Sequence, residues 1–335
     1  MNLADILKQR ERIIDAVRRF FKGEGFTEVE TPLLVPSPGL EPHLDAFRVH
    51  SAAPRPAWYL PTSPEYAMKK LLAAGSGSIF QICKAFRDEP PSEHHLPEFT
   101  MLEWYRVGAD YVGLMDDCER MCGFVAEAVC GGPVIEWQGS SLDLGPPYER
   151  ISVREAFRRH AGLELTFGES PDELRSLARG AGCSDVAPDD GWDEVFFKAF
   201  LRHVEPQLGR GRPTLLYDYP ARMAALSRIR RDEPLVCERF ELYAGGLELA
   251  NAFTELTDPA EQRRRLEADN AARRKLGKPE LPIDEEFLAA LERGLPDCAG
   301  AALGLDRLIM LLTDIPDIRR VVAPGAVSGP GRLPP

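Results

Sequence analysis

The chain has 335 residues, of which 44% are hydrophobic and 28% charged, so it can bury a sizeable core as one large domain or two smaller ones. Its net charge of -12 and its pI of about 5.2 argue against broad non-specific nucleic-acid binding, although a local basic patch is compatible with them. The sequence contains neither the roughly 20 consecutive apolar residues of a membrane span nor an N-terminal signal-peptide core, so we expect a soluble, cytoplasmic protein.

The N-terminal region predicts a helix followed by short strands. Apolar residues recur at helical spacing over residues 6–22, and Gly23 and Gly25 are typical of a helix end. Residues 26–32 alternate like a short strand that Pro32 terminates. Further strands are predicted near residues 45–49 and 58–61, after a proline-rich loop.

Thr62-Ser63-Pro64-Glu65 predicts the start of a helix over residues 65–74, with a hydroxyl cap, a proline in the first turn and an acid behind it. The same polar groups and free backbone N–H groups at a helix N-terminus also bind small charged ligands. The pattern is therefore compatible with a purely structural cap and with a binding site.

The densest polar stretch, FRDEPPSEHHLPEFTMLEWY, covers residues 86–105 and predicts two antiparallel strands joined by a loop. Alternate residues of the second strand share a face, which brings Phe99, Met101, Glu103 and Tyr105 together. Such a set is unsuited to a core and suited to a pocket floor. The alternative is an amphipathic hairpin with solvated charges.

Residues 110–208 predict mainly helices, which we interpret as a helical insertion, and a strand is predicted at residues 215–219. Seven cysteines in a long chain indicate reduced thiols rather than a disulfide framework. Cys118, Cys122 and Cys130 lie close together, but their i, i+4 spacing without a fourth ligand favours helix packing over zinc.

Two strand-like halves meet at Gly245-Gly246 in the stretch FELYAGGLELANAFTE, residues 240–255, which predicts a hairpin. Its polar members are Glu241, Glu248, Asn251 and Glu255. Buried carboxylates require cations, which are protein side chains, a metal or a cationic substrate. The alternative is an edge hairpin with solvated carboxylates.

Helices are predicted at residues 258–275 and 284–293, followed by a strand of small residues that leads into a helix over 305–312. Small residues allow a flat ligand to lie against the backbone, and Arg307 in the first helical turn can reach a phosphate or stack on a base. We expect residues 1–322 to form a single domain and the tail at 323–335 to be disordered.

Three of these stretches resemble the signature motifs of class II aminoacyl-tRNA synthetases. The first helix with GFTEVETP resembles motif 1, FRDE followed by His95-x3-Phe99-x3-Glu103 resembles motif 2, and ALGLDR resembles motif 3. TSPEY, HLPEFTMLEWY and ELANAFTEL extend the likeness to the lysyl branch, over roughly residues 12–312. The resemblance implies an α+β fold with an antiparallel sheet flanked by helices.

Motif 1 begins almost at the first residue, which leaves no room for the anticodon-binding domain of lysyl-tRNA synthetases, so we expect no anticodon recognition. In this respect the chain resembles the elongation factor P lysine ligase family, in which an aminoacyl adenylate is passed to a lysine side chain of elongation factor P. The alternatives are a truncated synthetase-like enzyme that acylates tRNA or a small molecule, and a non-catalytic relative. Motif 1 also implies a homodimer.

The resemblance implies a role for each polar residue of these motifs. Arg87 would act in catalysis by holding the α-phosphate of ATP and the substrate carboxylate. Three further contacts to the nucleotide would come from Glu89 on the adenine amino group, from His95 on the γ-phosphate, and from Phe99 and Arg307 on the two faces of the adenine ring. The other nucleotide-binding residues would be Asp88, Leu96, Glu248, Leu249 and Gly304. Mg²⁺ would be held by Glu241 and Glu248. An amino acid with a distal ammonium would be bound by Ser63, Pro64, Glu65, Glu103, Tyr105, Asn251, Glu255 and Ala302.

Two positions depart from the lysyl-tRNA synthetases. Leu96 stands where they have asparagine, so a contact there must come from backbone or packing. Ala302 stands where they have glycine, and its methyl group on the pocket floor would shift the amino-acid backbone. The lysine ligases share this feature, which favours a β-amino acid over α-lysine.

Overall fold

The structure is a computed structural model that describes residues 2–52 and 56–323. Within these ranges the strands are β1 (Thr27–Glu28), β2 (Arg48–Val49), β3 (Trp58–Tyr59), β4 (Ile79–Phe86), β5 (Glu98–Val107), β6 (Val134–Trp137), β7 (Ser140–Asp143), β8 (Glu149–Ser152), β9 (Thr214–Pro220), β10 (Val236–Ala244), β11 (Leu247–Thr254) and β12 (Cys298–Gly304). The α-helices are α1 (Leu3–Gly23), α2 (Glu65–Ala73), α3 (Tyr111–Cys130), α4 (Val153–Ala161), α5 (Pro171–Gly180), α6 (Trp192–Ala199), α7 (Pro259–Lys275), α8 (Glu285–Gly294) and α9 (Leu305–Thr313).

Eight of the described strands form one mixed sheet in the order β1-β4-β5-β12-β11-β10-β9-β8. The strands from β4 to β9 in this order pair antiparallel, whereas the edge strands β1 and β8 pair parallel to β4 and β9. Parallel pairing requires a long connection, and both edge strands have one: α2 lies between β1 and β4, and α4 to α6 lie between β8 and β9. The α+β class is confirmed, and the sheet is antiparallel except at its edges.

The two faces of this sheet have different chemical characters, because successive residues of a strand point to opposite faces. One face carries Leu102 and Trp104 of β5 and Leu303 of β12, and it packs in the largest core with α1, α3 and α9. The opposite face carries Glu103 and Tyr105. Helices α2 and α8 pack in a second core with β4, β5 and β12, and helices α4, α5 and α6 pack in a third core with β9 and β10. The polar face is therefore enclosed on both sides by helices.

Two stretches differ in detail from the prediction. Within 110–208 the predicted helices are present as α3 to α6, but the hairpin of β6 and β7 and the sheet strand β8 were not predicted. That hairpin turns at Gln138 and Gly139, both with positive φ, and sequence reasoning did not recognise glutamine as a turn residue there. The strand predicted at 26–32 is reduced to β1, because only Thr27 and Glu28 pair with β4.

The other predicted elements are present within a few residues of their expected bounds. The division of residues 1–322 as a single domain stays a prediction, and residues 324–335 of the expected tail lie outside the described residues. Among the described residues, no helix combines the length and the apolar character needed to cross a membrane.

Candidate active site on the polar face of the sheet

One row of paired residues crosses the polar face. Glu103 of β5 pairs with Ala302 of β12, Ala302 pairs with Asn251 of β11, and Asn251 pairs with Glu241 of β10. Directly paired residues point to the same face, and neighbouring strands are about 4.8 Å apart, so Glu103 and Glu241 lie roughly 14 Å apart along the row. The row joins the predicted amino-acid end of the site to the predicted metal end.

Glu103 forms the floor of the amino-acid end and is only 2% exposed. Its Oε2 accepts a hydrogen bond from Ser63 Oγ at 2.8 Å, and its Oε1 accepts one from the Tyr105 hydroxyl at 2.7 Å. Burial, together with the neighbouring Glu65 carboxylate, raises the pKa of Glu103. The structure thus brings together three residues that the sequence assigned to one pocket.

Ser63 contacts both the first turn of α2 and the floor of the predicted pocket. Its Oγ accepts a hydrogen bond from the backbone N–H of Glu65 at 3.0 Å in the first turn of α2, while the same hydroxyl donates to Glu103. Pro64 occupies the N-cap position of α2. The start of this helix is therefore part of the pocket wall as well as a structural cap.

Lys69 is a residue of this pocket that sequence reasoning missed. Its Nζ lies 2.5 Å from Glu65 Oε1 and 2.5 Å from Glu255 Oε2, and its side chain is 1% exposed. Burial raises the pKa of Glu255, and Glu65 adds to this effect while Lys69 opposes it. The spacing of four residues between Glu65 and Lys69 on one helix was the signal that could have revealed this ion pair.

Gly300 of β12 is a second residue that sequence reasoning did not assign to the site. A Cβ atom at this position would lie 2.3 Å from Cε1 of Tyr105 and 2.6 Å from Oε1 of Glu255. Only glycine allows these two side chains to lie directly over the strand. The small residue Gly300 of β12 thus makes room for the side chains of Tyr105 and Glu255. The sequence analysis had expected the small residues of this strand to make room for a ligand.

The predicted nucleotide residues meet where β4 and β5 approach the start of α9. The Arg87 guanidinium lies over the Phe99 ring, 5.1 Å from its centroid. Arg307 donates hydrogen bonds to the backbone oxygens of His94 at 3.1 Å and Glu248 at 2.6 Å. Arg87 therefore occupies one face of the Phe99 ring. The prediction that Phe99 and Arg307 enclose the adenine ring between them stays a prediction.

His95 lies between Arg307 and Ser92. Its Nε2 is 2.8 Å from Nη2 of Arg307, and its Nδ1 is 3.1 Å from Oγ of Ser92. Burial and the Arg307 charge lower the pKa of His95 to about 4, so the ring is neutral at pH 7. Since Arg307 can only donate, Nε2 accepts and Nδ1 carries the proton.

The remaining predicted nucleotide residues lie near Arg87, Phe99, His95 and Arg307. Some present only their backbone to this group, and others lie in the loop at its edge. Leu96 and Leu249 are buried in the main core, so their side chains pack, and any contact with a ligand would come from the backbone. Gly304 is the N-cap of α9 and lies beside the backbone oxygen of Leu249. Asp88 is exposed and Glu89 is partly buried in the loop after β4.

Glu241 and Glu248 lie on the hairpin of β10 and β11 at the other end of the row. Oε2 of Glu241 accepts hydrogen bonds from the hydroxyls of Tyr219 at 2.6 Å and Tyr243 at 2.5 Å, and Oε1 accepts one from Arg239 at 2.7 Å. Burial and the Glu241 charge raise the pKa of Glu248 to about 7. Sequence reasoning did not identify the three residues that donate to Glu241.

This carboxylate pair fits a divalent cation bound together with phosphate. Two carboxylates in a buried site repel each other, and a cation between them relieves that repulsion. Among the described residues, no group of three or more histidine, cysteine or carboxylate side chains could hold a metal by itself. Mg²⁺ commonly uses one or two carboxylates and completes its shell with phosphate oxygens and water, which agrees with a pair.

Comparison with known proteins agrees with this fold. Residues 1–325 match the family described as tRNA synthetases class II (D, K and N). The chain is 42% identical over 322 residues to the elongation factor P–(R)-beta-lysine ligase of Vibrio cholerae, with 95% of this chain and 94% of the relative covered. It is 42% identical over 327 residues to the ligase of that name from Pectobacterium carotovorum, with 96% and 95% covered.

The chain therefore belongs to the class II tRNA synthetase family and, within it, to the elongation factor P–(R)-beta-lysine ligases. Ligases of this class use ATP.

Proposed function

We propose that this protein activates (R)-β-lysine, or lysine, with ATP as an aminoacyl adenylate and transfers the aminoacyl group to a lysine side chain of elongation factor P. The names of the relatives supply the substrate and the acceptor. The structural observation that carries the proposal is the row from Glu103 to Glu241, because it aligns an acidic pocket, a neutral middle and a carboxylate pair on one face.

The acidic end suits a diamino acid. Glu65, Glu103 and Glu255 supply three carboxylates, and Lys69 supplies one buried positive charge between two of them. Buried carboxylates without matching cations are costly, so this end favours a ligand with ammonium groups. Glu65 would receive the amino group near the carboxylate of the substrate, and Glu103, Tyr105 and Glu255 would enclose the distal ammonium.

The middle of the row would hold the carboxylate that reacts. Ala302 presents only a methyl group there, and the Asn251 amide oxygen accepts a hydrogen bond from Arg239 Nε at 3.2 Å. Arg87 would hold this carboxylate and the α-phosphate of ATP together. A carboxylate oxygen then attacks the α-phosphorus, the bond to the leaving phosphate breaks, and pyrophosphate departs.

The nucleotide would bind where β4 and β5 approach the start of α9, and Arg307, which donates to the backbone oxygen of Glu248, links this group to the carboxylate pair. Phe99 and Arg307 would stack on the adenine ring, Glu89 would accept from its amino group, and His95 would contact the γ-phosphate. Base stacking of this kind contributes about 1–3 kcal/mol. Glu241 and Glu248 would hold Mg²⁺, which when bound neutralises charge on the pyrophosphate leaving group.

The second step would transfer the aminoacyl group. The neutral ε-amine of the acceptor lysine attacks the adenylate carbonyl, an amide bond forms, the bond to the phosphate oxygen breaks, and AMP leaves with the electron pair of that bond. The amine loses one proton in the step.

A homodimer is part of the proposal. The motif 1 region presents exposed leucines at Leu3 and Leu7 of α1 and at Leu33 and Leu34 after β1. Exposed large apolar side chains in the segment that resembles motif 1 are consistent with an interface there.

Two assays test the proposed function. ATP–pyrophosphate exchange should require a diamino acid, with (R)-β-lysine preferred over α-lysine and with norleucine inactive, because norleucine lacks the distal ammonium. Radiolabelled amino acid should then appear on purified elongation factor P and not on total tRNA. Label on tRNA alone would overturn the acceptor assignment, and absence of exchange with every diamino acid would overturn the activity.

A further inference from the structure

Lys69 is the buried cation at the acidic end of the site. Its ammonium contacts carboxylates from two elements, Glu65 one turn earlier on α2 and Glu255 just after β11, each at 2.5 Å. The rings of Phe253 and Phe287 also flank it, with centroids 5.2 Å and 5.9 Å from Nζ. The ammonium is therefore held in a fixed position between helix and sheet.

Lys69 does not act as a proton acceptor. Although burial opposes the charged form, Glu255 and Glu65 together hold the pKa of Lys69 above its ordinary value. The residue therefore carries its positive charge at neutral pH. Its contribution to the site is consequently electrostatic and positional.

We propose that Lys69 is a positioning residue that sets the net charge of the amino-acid pocket to match a substrate with two ammonium groups. This inference rests on the proposed function, and it identifies Lys69 as a residue on which the substrate class of the enzyme depends. Glu65, Glu103 and Glu255 carry three negative charges once they are ionised, and Lys69 reduces the sum to two. Glu41, whose pKa is raised by burial and by the Glu65 charge, is not part of this count. A diamino acid supplies two ammonium groups, and the proposed function assigns its carboxylate to Arg87.

The distribution of donors agrees with this assignment. Glu103 is held by the hydroxyls of Ser63 and Tyr105, which bring no charge, so the negative charge that it carries when ionised is left for a ligand. Glu65 and Glu255 share the single charge of Lys69, so one unit of negative charge remains between them. Each ammonium group of the substrate thus finds about one uncompensated negative charge.

The sign of the expected pH effect follows from the groups around Lys69. Removing its charge raises the pKa of Glu255 and of Glu103, both of which Lys69 lowers in the native protein. A carboxylate with a higher pKa ionises only at higher pH, and it must be ionised to bind an ammonium group. Titratable groups facing this cluster from the surrounding elements are Glu41, Glu65, Glu103, Tyr105, Glu255 and Cys298.

The test measures exchange kinetics from about pH 6 to about pH 9 for Lys69→Met and Lys69→Arg. An opposite charge within about 4–6 Å lowers a carboxylate pKa by about 1–3 units, so Lys69→Met should move the acidic limb of kcat/KM for (R)-β-lysine up by about one unit or more. At pH 7 the KM for the amino acid should rise about tenfold or more, with the KM for ATP unchanged. Lys69→Arg should keep the limb near its native position because it keeps the charge.

Lys70→Met is the matched control. Lys70 is the next residue on α2, and its Nζ pairs with Asp284 at 2.7 Å on the side of α8, outside the pocket. This variant also removes one positive charge from the helix, and both the limb and the KM values should stay unchanged. If Lys69→Met is not folded by circular dichroism, Lys69→Gln replaces it, because glutamine also lacks the charge and retains hydrogen-bond donors.

An unshifted limb with a native KM for (R)-β-lysine in folded Lys69→Met or Lys69→Gln overturns the inference. A second readout keeps this result distinct from failure of the proposed function. Carboxyl ¹³C resonances of glutamate-labelled protein, with Glu255 assigned through Glu255→Gln, report the carboxylate titration without any substrate. If the native protein lacks exchange activity, an upward shift of the Glu255 midpoint in the variant supports the role of Lys69, and no shift refutes it.

Discussion

Gly300→Ala should damage the amino-acid end of the site while leaving the nucleotide end nearly intact. The new Cβ would lie 2.3 Å from Cε1 of Tyr105, whereas ordinary contacts begin near 3.4 Å, so the ring must move by 3.4 − 2.3, or about 1.1 Å. Tyr105 is buried, and its hydroxyl is bound to Glu103 Oε1, so the displacement reaches the pocket floor. Glu255 is pushed as well, because its Oε1 would lie 2.6 Å from the same Cβ.

The magnitude follows from two effects. Overpacking a buried site costs about 1–3 kcal/mol of stability, and a displacement of about 1 Å in a substrate-positioning group costs about a hundredfold in rate. We therefore expect kcat/KM for (R)-β-lysine in pyrophosphate exchange to fall between about tenfold and about a hundredfold, with the KM for ATP changed by less than about threefold.

The assay combines exchange kinetics with urea unfolding, and Gly132→Ala is its control, since a Cβ at Gly132 meets nothing within 4 Å. A folded Gly300→Ala variant with native kinetics for both substrates would show that Tyr105 and Glu255 do not form the amino-acid pocket as described. An equal loss for both substrates would indicate a general distortion of the sheet instead.

Three further predictions follow from the proposed site. Arg87→Ala should abolish adenylate formation, and Arg87→Lys should restore little, because one ammonium does not reproduce a bidentate fork; near-native exchange by either variant would contradict the role of Arg87. Ala302→Gly should raise activity with α-lysine relative to (R)-β-lysine, by roughly tenfold or more if the methyl group decides the isomer; an unmoved ratio would contradict this. Sedimentation at micromolar concentration should show a dimer of the 37.3 kDa chain, and Leu7→Asp should weaken it; a native protein that is only monomeric would contradict the interface.

Local patterns predicted the hairpin of β10 and β11 well, because its turn is short and its residues are neighbours in sequence, whereas the hairpin of β6 and β7 was missed. Gly245 and Gly246 both have positive φ, as the turn between β10 and β11 requires, and the period of two in β5 placed Glu103 and Tyr105 on one face. The resemblance to known motifs, on the residues 86–105 and 299–307, supplied the family. These are the parts of the fold in which sequence neighbours determine the geometry.

Pairing between distant segments could not be predicted from the sequence alone. Glu103 and Ala302 are opposite each other in neighbouring strands although about 200 residues separate them, and their register depends on how Trp104 and Leu303 pack in the core on the other face. The contact of Lys69 with Glu255 has the same origin, because it requires α2 to lie against the end of β11. The sequence therefore suggested which residues form the site, whereas their order across the sheet required the structure.

Strand β5 explains why the core and the site are so closely linked. Leu102 and Trp104 are fully buried in the main core, and Glu103 and Tyr105, one position away, form the pocket floor. A slip of one residue in the pairing of β5 would move carboxylates into the core and apolar groups into the pocket, at a cost of several kcal/mol for each buried charge. The apolar face thus fixes the register of the polar face. Substitutions of Trp104 should consequently lower stability and activity together, whereas Glu103→Gln should lower amino-acid binding while preserving the fold, because its buried partners are hydroxyl groups that an amide can also satisfy.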